Sequence, residues 1–249
     1  MTLPRTPSFR LDGKRAFVPG GSRGIGLGCA MALAEAGAHV VIAARSQGQV
    51  DEAAEAIREA GYSAEGVALD VTDLDATAAA MGDRVDVLCN SAGVARHGPV
   101  METTPEDFDL VVNLNLRAAY FMAQMAAKRM PSGGSIIQIS SQMGHISGVD
   151  RAVYSATKHG VEGMTKGMAI EFGPMNIRVN TICPTFIKTP LTEATFQNPE
   201  RVAWIEEKIK LGRIGEIEDI MGAVQFLASD ASAMVTGTAL MVDGGWTAG

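Results

Sequence analysis

Short apolar runs alternate with stretches of helical periodicity along the whole chain. Runs at 15–18, 39–44, 64–69, 84–90, 135–139, 177–182 and 238–242 are short and largely apolar, as strands buried on both faces of a sheet are. Between them, patterns at 24–36, 49–60, 73–81, 105–130, 152–172 and 216–228 read as helices. Gly37 and Gly61 follow two of these as C-cap glycines, and Thr104-Pro105 opens another with an N-cap and a proline at the first helical position. Strands alternating with helices imply βαβ units and a parallel sheet. The expected fold is therefore α/β: a doubly wound, parallel, seven-stranded sheet flanked by helices. The segment 187–212 has mixed helical character and weak periodicity, and is expected to be a mobile lid beside a site. No repeat, low-complexity stretch or linker interrupts the pattern, so residues 1–249 are expected to form a single domain.

Composition narrows the partners. A chain of 249 residues can bury a large core. A net charge of −7 argues against nucleic acid or an anionic membrane as the main partner. No apolar run is long enough to span a bilayer, and the opening MTLPRTPSFRLDG lacks the apolar core of a secretory signal. Cys29, Cys89 and Cys183 each sit in an apolar segment, which predicts buried free thiols. No metal-type spacing joins them to the four histidines, so no metal site is expected. A reducing cytoplasm fits this usage.

The chemistry concentrates at 141–158, SQMGHISGVDRAVYSATK. Tyr154 and Lys158 are four residues apart, which on a helix places them on one face. A phenol ordinarily ionises near pH ~10. An adjacent ammonium favours its anionic form, which makes the hydroxyl a usable general acid or base. Taken alone, the pair is a spacing that many helices show by chance. Ser141 lies thirteen residues before Tyr154, at the end of the apolar run 135–139, and open α/β sheets build their sites at the ends of strands. Near the N-terminus, Gly20, Ser22, Arg23, Gly24, Ile25 and Gly26 lie between the first strand and first helix. Such a loop lets the backbone approach a pyrophosphate and aims a helix N-terminus at it. At the end of the second strand an acid would hold the ribose hydroxyls of NAD. Ala44 and Arg45 stand there instead, with Arg23 in the glycine loop. Two guanidiniums and no acid favour NADP(H) over NAD(H), the alternative being two ordinary surface arginines.

The Gly20-x-x-x-Gly24-x-Gly26 loop together with Ser141, Tyr154 and Lys158 resembles the short-chain dehydrogenase/reductase family, over residues 11 to 247. The resemblance implies a Rossmann-type NAD(P)-binding fold and hydride exchange between nicotinamide and a ketone or secondary alcohol. It implies Tyr154 as the proton donor or acceptor, Ser141 as the partner of the same substrate oxygen, and Lys158 on the nicotinamide ribose. Asn115 matches the family's helix asparagine that holds a water leading to the lysine; Asn113 is the rival register, and a solvated helix asparagine the alternative. Asp70 and Val71 match the adenine-contacting pair, with a helix N-cap as the other role open to Asp70. Asn90, Ala92 and Gly93 match the family's Asn-Asn-Ala-Gly turn, in which Ser91 replaces the second Asn. Pro184, Ile187 and Thr189 match the segment closing over the nicotinamide, with Thr185 in place of the usual glycine. Pro19 stands where relatives carry Thr or Ser, removing a hydroxyl and an N–H.

Within the family, the segments 9–13 and 90–96 look like those of polyol and keto-sugar dehydrogenases. A sugar alcohol, keto-sugar or related hydroxy compound is the expected substrate. Met143, His145, Val149, Ala95, His97, Phe186 and Trp204 are the expected lining; either histidine could equally be structural. A 3-oxoacyl-thioester reductase is the alternative, and would need a basic patch for acyl carrier protein, for which Lys128/Arg129 and Arg201/Lys208/Lys210 are available. A nucleotide-binding regulator without turnover is the alternative of another class. The resemblance also implies a homotetramer built on the helices at 105–130 and 152–172 and the C-terminal strand.

Overall fold

The computed structural model describes residues 1–190 and 192–249. Seven strands form one sheet: β1 (Arg15–Pro19), β2 (His39–Ala44), β3 (Ser63–Ala68), β4 (Val87–Asn90), β5 (Gly134–Ile139), β6 (Ile177–Pro184) and β7 (Ala239–Val242). The order is β3-β2-β1-β4-β5-β6-β7, and every pair is parallel. Successive strands run outward from β1 to one side and then from β4 to the other. Ligands of open α/β sheets bind at such a reversal, beyond the strands' C-terminal ends.

The helices cover both faces, as parallel strands require. On one face α1 (Gly24–Glu35), α2 (Gln47–Glu59) and, late in the chain, α9 (Glu218–Ala228) bury Cys29, Leu33, Val50, Ile57, Ile220, Val224 and Leu227 against Val18, Val40 and Ile42. On the other, α3 (Leu74–Met81), α4 (Pro105–Val112), α5 (Ala119–Ala127) and α6 (Ala152–Phe172) bring Met81, Met122, Ala126 and Met168 onto Phe17, Val41, Leu88 and Ile136. All three cysteines are buried and free. Among the described residues no helix is long and apolar enough to cross a membrane.

Three local expectations change. The helix expected across 105–130 is two α-helices joined by a π-helical segment, Asn113–Ala118, and α5 ends at Ala127. The apolar pattern runs smoothly through the junction, so periodicity alone does not reveal it. The fourth strand begins at Val87 rather than 84, since Arg84 turns outward to pair with Asp86. The N-cap of α3 is Asp73, which accepts from Ala76 N–H; this removes the capping role left open for Asp70.

The segment 187–212, whose residue 191 lies outside the described residues, folds into α7 (Glu193–Phe196) and α8 (Pro199–Lys208). Asn198 caps α8 by accepting from Glu200 and Arg201 N–H. Ile205, Ile209 and Ile214 form a small core beneath it with Phe186, Phe196, Val202 and Trp246.

Candidate active site

A cavity of about 880 Å³ opens along the C-terminal ends of the strands. Gly20, Ser22, Arg23, Gly24, Ile25 and Gly26 line it, as do Arg45, Asp70, Val71, Ala92, Gly93, Ser141, Tyr154, Lys158, Pro184, Ile187 and Thr189. These residues come from seven separate stretches of sequence. Asn90 and Asn115 lie just behind the lining and hold it in place.

The glycine loop is shaped by close approach. Gly20 has φ +76°, and a Cβ there would sit 2.7 Å from the Ala92 nitrogen and the Ser91 carbonyl carbon. A Cβ on Gly26 would lie 2.0 Å from the Gly20 oxygen. Any side chain at either position pushes apart the loop, the first helix and the turn after β4. Pro19 keeps its place at the end of β1 without an N–H: its carbonyl accepts from Ser91, while Gly20 N–H donates to Ala43.

That turn is held by Asn90, whose amide donates to Gln138 Oε1 at 2.7 Å and whose oxygen accepts from Ala92 N–H at 3.1 Å. Asn115 grips the next residues from the other side. Its oxygen accepts from Val94 N–H and its amide donates to Val94 C=O, both at 2.8 Å, with Thr157 Oγ1 at 3.4 Å. Of the two candidate asparagines Asn115 is buried and Asn113 exposed. The π turn carries Leu116 against Gly160 of α6, where a Cβ would meet its side chain at 3.0 Å.

At the far rim Asp70 accepts from Thr72 N–H and hydroxyl at 2.9 and 2.7 Å. These bonds, with Arg45 nearby, hold its carboxyl below the usual range. Arg45 and Arg23 are exposed at this end.

The other end carries the acid–base groups. Lys158 is buried, and it donates one hydrogen bond, to Ile139 C=O at 2.9 Å, while its Nζ lies 5.6 Å from the centre of the Tyr154 ring. Ser141 Oγ accepts from Met143 N–H at 3.1 Å, leaving its own proton to donate. His97 stands edge-on to the Tyr154 ring at 5.6 Å, and its Nε2 accepts from Arg151 at 2.7 Å. Burial, followed by the charges of Arg151 and Arg201, lowers its pKa to about 4, so the imidazole is neutral at pH 7.

A nicotinamide dinucleotide fits this lining. The Gly20 cradle leaves backbone room for a pyrophosphate. A buried ammonium with donors to spare suits ribose hydroxyls, since an unpaired buried charge is costly. The Thr185 hydroxyl is buried at the cavity wall and, among the described residues, has no hydrogen-bond partner.

The expected substrate lining is only partly found here. Of those seven residues Ala95 alone lines the cavity, and Val149 is 88% exposed. Phe186 and Trp204 pack on Trp246 instead, with ring centroids at 5.7 and 5.4 Å. His145 turns away, its Nε2 3.6 Å from Cys183 Sγ and 3.7 Å from Glu162. The potential ligand atoms of His145, Glu162 and Cys183 lie within 4.8 Å of one another, a grouping that sequence spacing does not show. Burial, then the Glu162 charge, pushes the Cys183 thiol up to about 12. It therefore stays protonated and donates to Glu162 Oε1 at 3.3 Å, beside the Thr181 hydroxyl on Oε2 at 2.9 Å. The trio is a polar network beside Ser140. Arg151 has no sequence signal at all, since its neighbours His97 and Phe186 are distant in the chain.

A family profile described as enoyl-(acyl carrier protein) reductase matches residues 20–247. An L-xylulose reductase of Bos taurus is 38% identical over 245 residues, covering 96% of this chain and 99% of its own. A crystal structure of a gluconate 5-dehydrogenase from Burkholderia cenocepacia J2315, in complex with NADP and tartrate, superposes with a TM-score of 0.94 at 34% identity, covering 98% of this chain and 99% of that one. A short-chain type dehydrogenase/reductase from Mycobacterium marinum gives 0.90 at 35% identity, covering 97% and 98%.

Proposed function

This chain belongs to the short-chain dehydrogenase/reductase family, oxidoreductases acting on CH–OH groups, and from that premise we propose that it interconverts a polyol, keto-sugar or related hydroxy compound and its oxidised partner using NADP(H). The observation that carries the reading is the convergence of Tyr154, Lys158 and Ser141 at one end of a cavity whose other end carries Arg23 and Arg45. The names of the relatives, an L-xylulose reductase and a gluconate 5-dehydrogenase, support the substrate class. The NADP in the second supports the cofactor.

When bound, the nicotinamide supplies or accepts the hydride; the protein positions it and manages the proton. Gly20, Gly24 and Gly26 admit the pyrophosphate, Asp70 and Val71 receive the adenine, and Arg45 with Arg23 takes the 2′-phosphate. Pro184, Ile187 and Thr189 would hold the nicotinamide end of the cofactor, next to the segment that carries α7 and α8. In the reducing direction Tyr154 donates its hydroxyl proton to the developing alkoxide, and Ser141 donates a hydrogen bond to the same oxygen. The Lys158 ammonium, near the tyrosine ring, offsets the negative charge left on the phenol oxygen. Asn115 acts through position: by clamping Val94 it fixes the turn after β4 and the π segment against α6. The whole chain works as one NAD(P)-binding unit, placed in the cytoplasm as a homotetramer.

Of the two basic patches open to the thioester alternative, the structure leaves Arg201, Lys208 and Lys210 exposed and breaks up the other. The Arg129 guanidinium is taken up by the carbonyls of Gly82, Met125 and Ala78, so it does not join Lys128 in a docking patch. The test is NADPH oxidation over a panel of ketoses, keto-acids and 3-oxoacyl thioesters. Turnover concentrated on ketoses and keto-acids is expected. Turnover confined to the thioesters overturns the reading, and tight NADPH binding with no turnover favours a regulator.

A further inference from the structure

Beyond Tyr154 the structure holds two cations that the acid–base chemistry does not use. Arg151 immediately precedes α6, and its guanidinium donates to the neutral His97 at 2.7 Å and lies 5.6 Å over the Phe186 ring. His97 in turn stands against the Tyr154 ring, so Arg151 is one imidazole away from the proton-transfer group. Arg201, on the first turn of α8, lies near enough to weigh on the charge of both Arg151 and His97. Burial, and after it Arg201, disfavours the charged form of Arg151. The ion pairs among the described residues include neither arginine. The first turn of α6 carries no acid, and its N-cap residue, Arg151 itself, offers no side-chain acceptor to the helix N–H groups. Asp150, the residue just before Arg151, weighs the other way on both Arg151 and His97, but less than burial and Arg201, and without an ion pair to either. A half-buried guanidinium with a second one nearby still leaves positive charge that an anion would fill.

We propose that Arg151, with Arg201 above it, binds a carboxylate at the end of the substrate remote from the reacting carbon, so that polyhydroxy acids are preferred to the corresponding neutral polyols. The inference rests on the proposed function and narrows its substrate class. Planar guanidiniums suit the two oxygens of a carboxylate. His97 serves as the spacer: it fixes the guanidinium through Nε2 and packs its edge on Tyr154, which sets the distance between the anion and the reacting oxygen. Because Arg201 sits on α8, the bound carboxylate would also draw the segment over the site.

The test compares four- to six-carbon aldonates with their matched alditols, by calorimetric titration of the NADPH-loaded protein and, in separate samples, by NADP⁺ reduction. The wild type should bind the best acid at least about tenfold more tightly than its alditol, the scale of one charge-assisted bidentate contact. Arg151→Gln should erase that margin by weakening the acid far more than the alditol, Arg151→Lys should restore part of it, and the exposed Arg201→Gln should narrow it. No margin in the wild type, a margin that survives both glutamine variants, or equal loss for acid and alditol overturns the subsite. Turnover of neutral polyols without any acid preference sinks the subsite and leaves the proposed function standing. Acid preference in binding without turnover of any polyol or sugar acid does the reverse.

Discussion

Arg45 stands just after β2, exposed near Asp70 at the end of the cavity away from Tyr154. Its position is readable from sequence because a strand end is a fixed place in a parallel sheet; on the proposed function its charge selects for the phosphorylated ribose. Replacing it removes a charge-assisted contact worth about 1.5 to 3 kcal/mol. Steady-state kinetics of Arg45→Ala should therefore show the NADPH KM raised about tenfold or more and the NADH KM changed far less. Equal changes would assign Arg45 to the plain surface. Tyr154, Lys158 and Ser141 were equally legible, because helix spacing and a strand end fix their neighbourhood. His145 was not: residue type and loop position could not reveal that it turns toward Cys183 and Glu162 rather than the cavity.

At the level of elements, the π segment Asn113–Ala118 turns Asn115 inward. The chain's hydrophobic pattern predicts the helices on either side but not the wider turn, within which Asn115 makes its bond pair to Val94 across twenty-one residues. Asn115→Ala leaves the Val94 N–H and C=O without those partners. Urea unfolding should show a loss of about 2 kcal/mol, and turnover should fall with it; an unchanged midpoint would mean that the clamp carries no energy. The segment 186–188 is held by a second device. It pairs with Gly215, and Arg213 grips Asp219 through both guanidinium nitrogens, at 2.6 and 2.7 Å. The Arg213 hydrogen bonds, then the Glu216 N–H, lower the Asp219 carboxyl to about 2 from an ordinary 3.8. Since the folded value is the lower one, the stabilisation is present above pH 3.8 and is lost as pH falls through 2. With both groups partly exposed, Asp219→Asn should cost about 1 kcal/mol at pH 7, progressively less below the ordinary carboxylate range, and nothing once the pH is well below the folded value. Denaturation of both proteins across that range would show it, and a cost that does not shrink as the pH falls would count against the ionic origin.

For the molecule as a whole, the strand order places one reversal in the sheet, between β1 and β4, and the cavity lies over the strand ends there. Alternation of strand and helix patterns made the parallel sheet legible in advance, but no pattern of that kind gives the packing of α8 on Trp246. On the outer face Phe108 of α4, Tyr120 of α5 and Ile170 of α6 are 47%, 44% and 78% exposed. A Cβ on Gly163 or Gly167 would meet nothing, whereas Gly160 is used internally against Leu116. Exposed apolar groups with open glycines suit a second copy packing helix to helix. Sedimentation equilibrium should give four times the 26.1 kDa chain mass; a monomer at micromolar concentration would refute the assembly. All scales converge on one hydroxyl, which the sheet, the clamp and the buried ammonium bring to one end of the cavity. The direct measurement is on Tyr154→Phe, pairing ketose-dependent NADPH oxidation with NADPH titration by fluorescence. The account predicts turnover reduced by at least about a thousandfold, the upper range for a lost general acid, with NADPH affinity nearly unchanged. Retained turnover would remove Tyr154 from the chemistry and contradict the account.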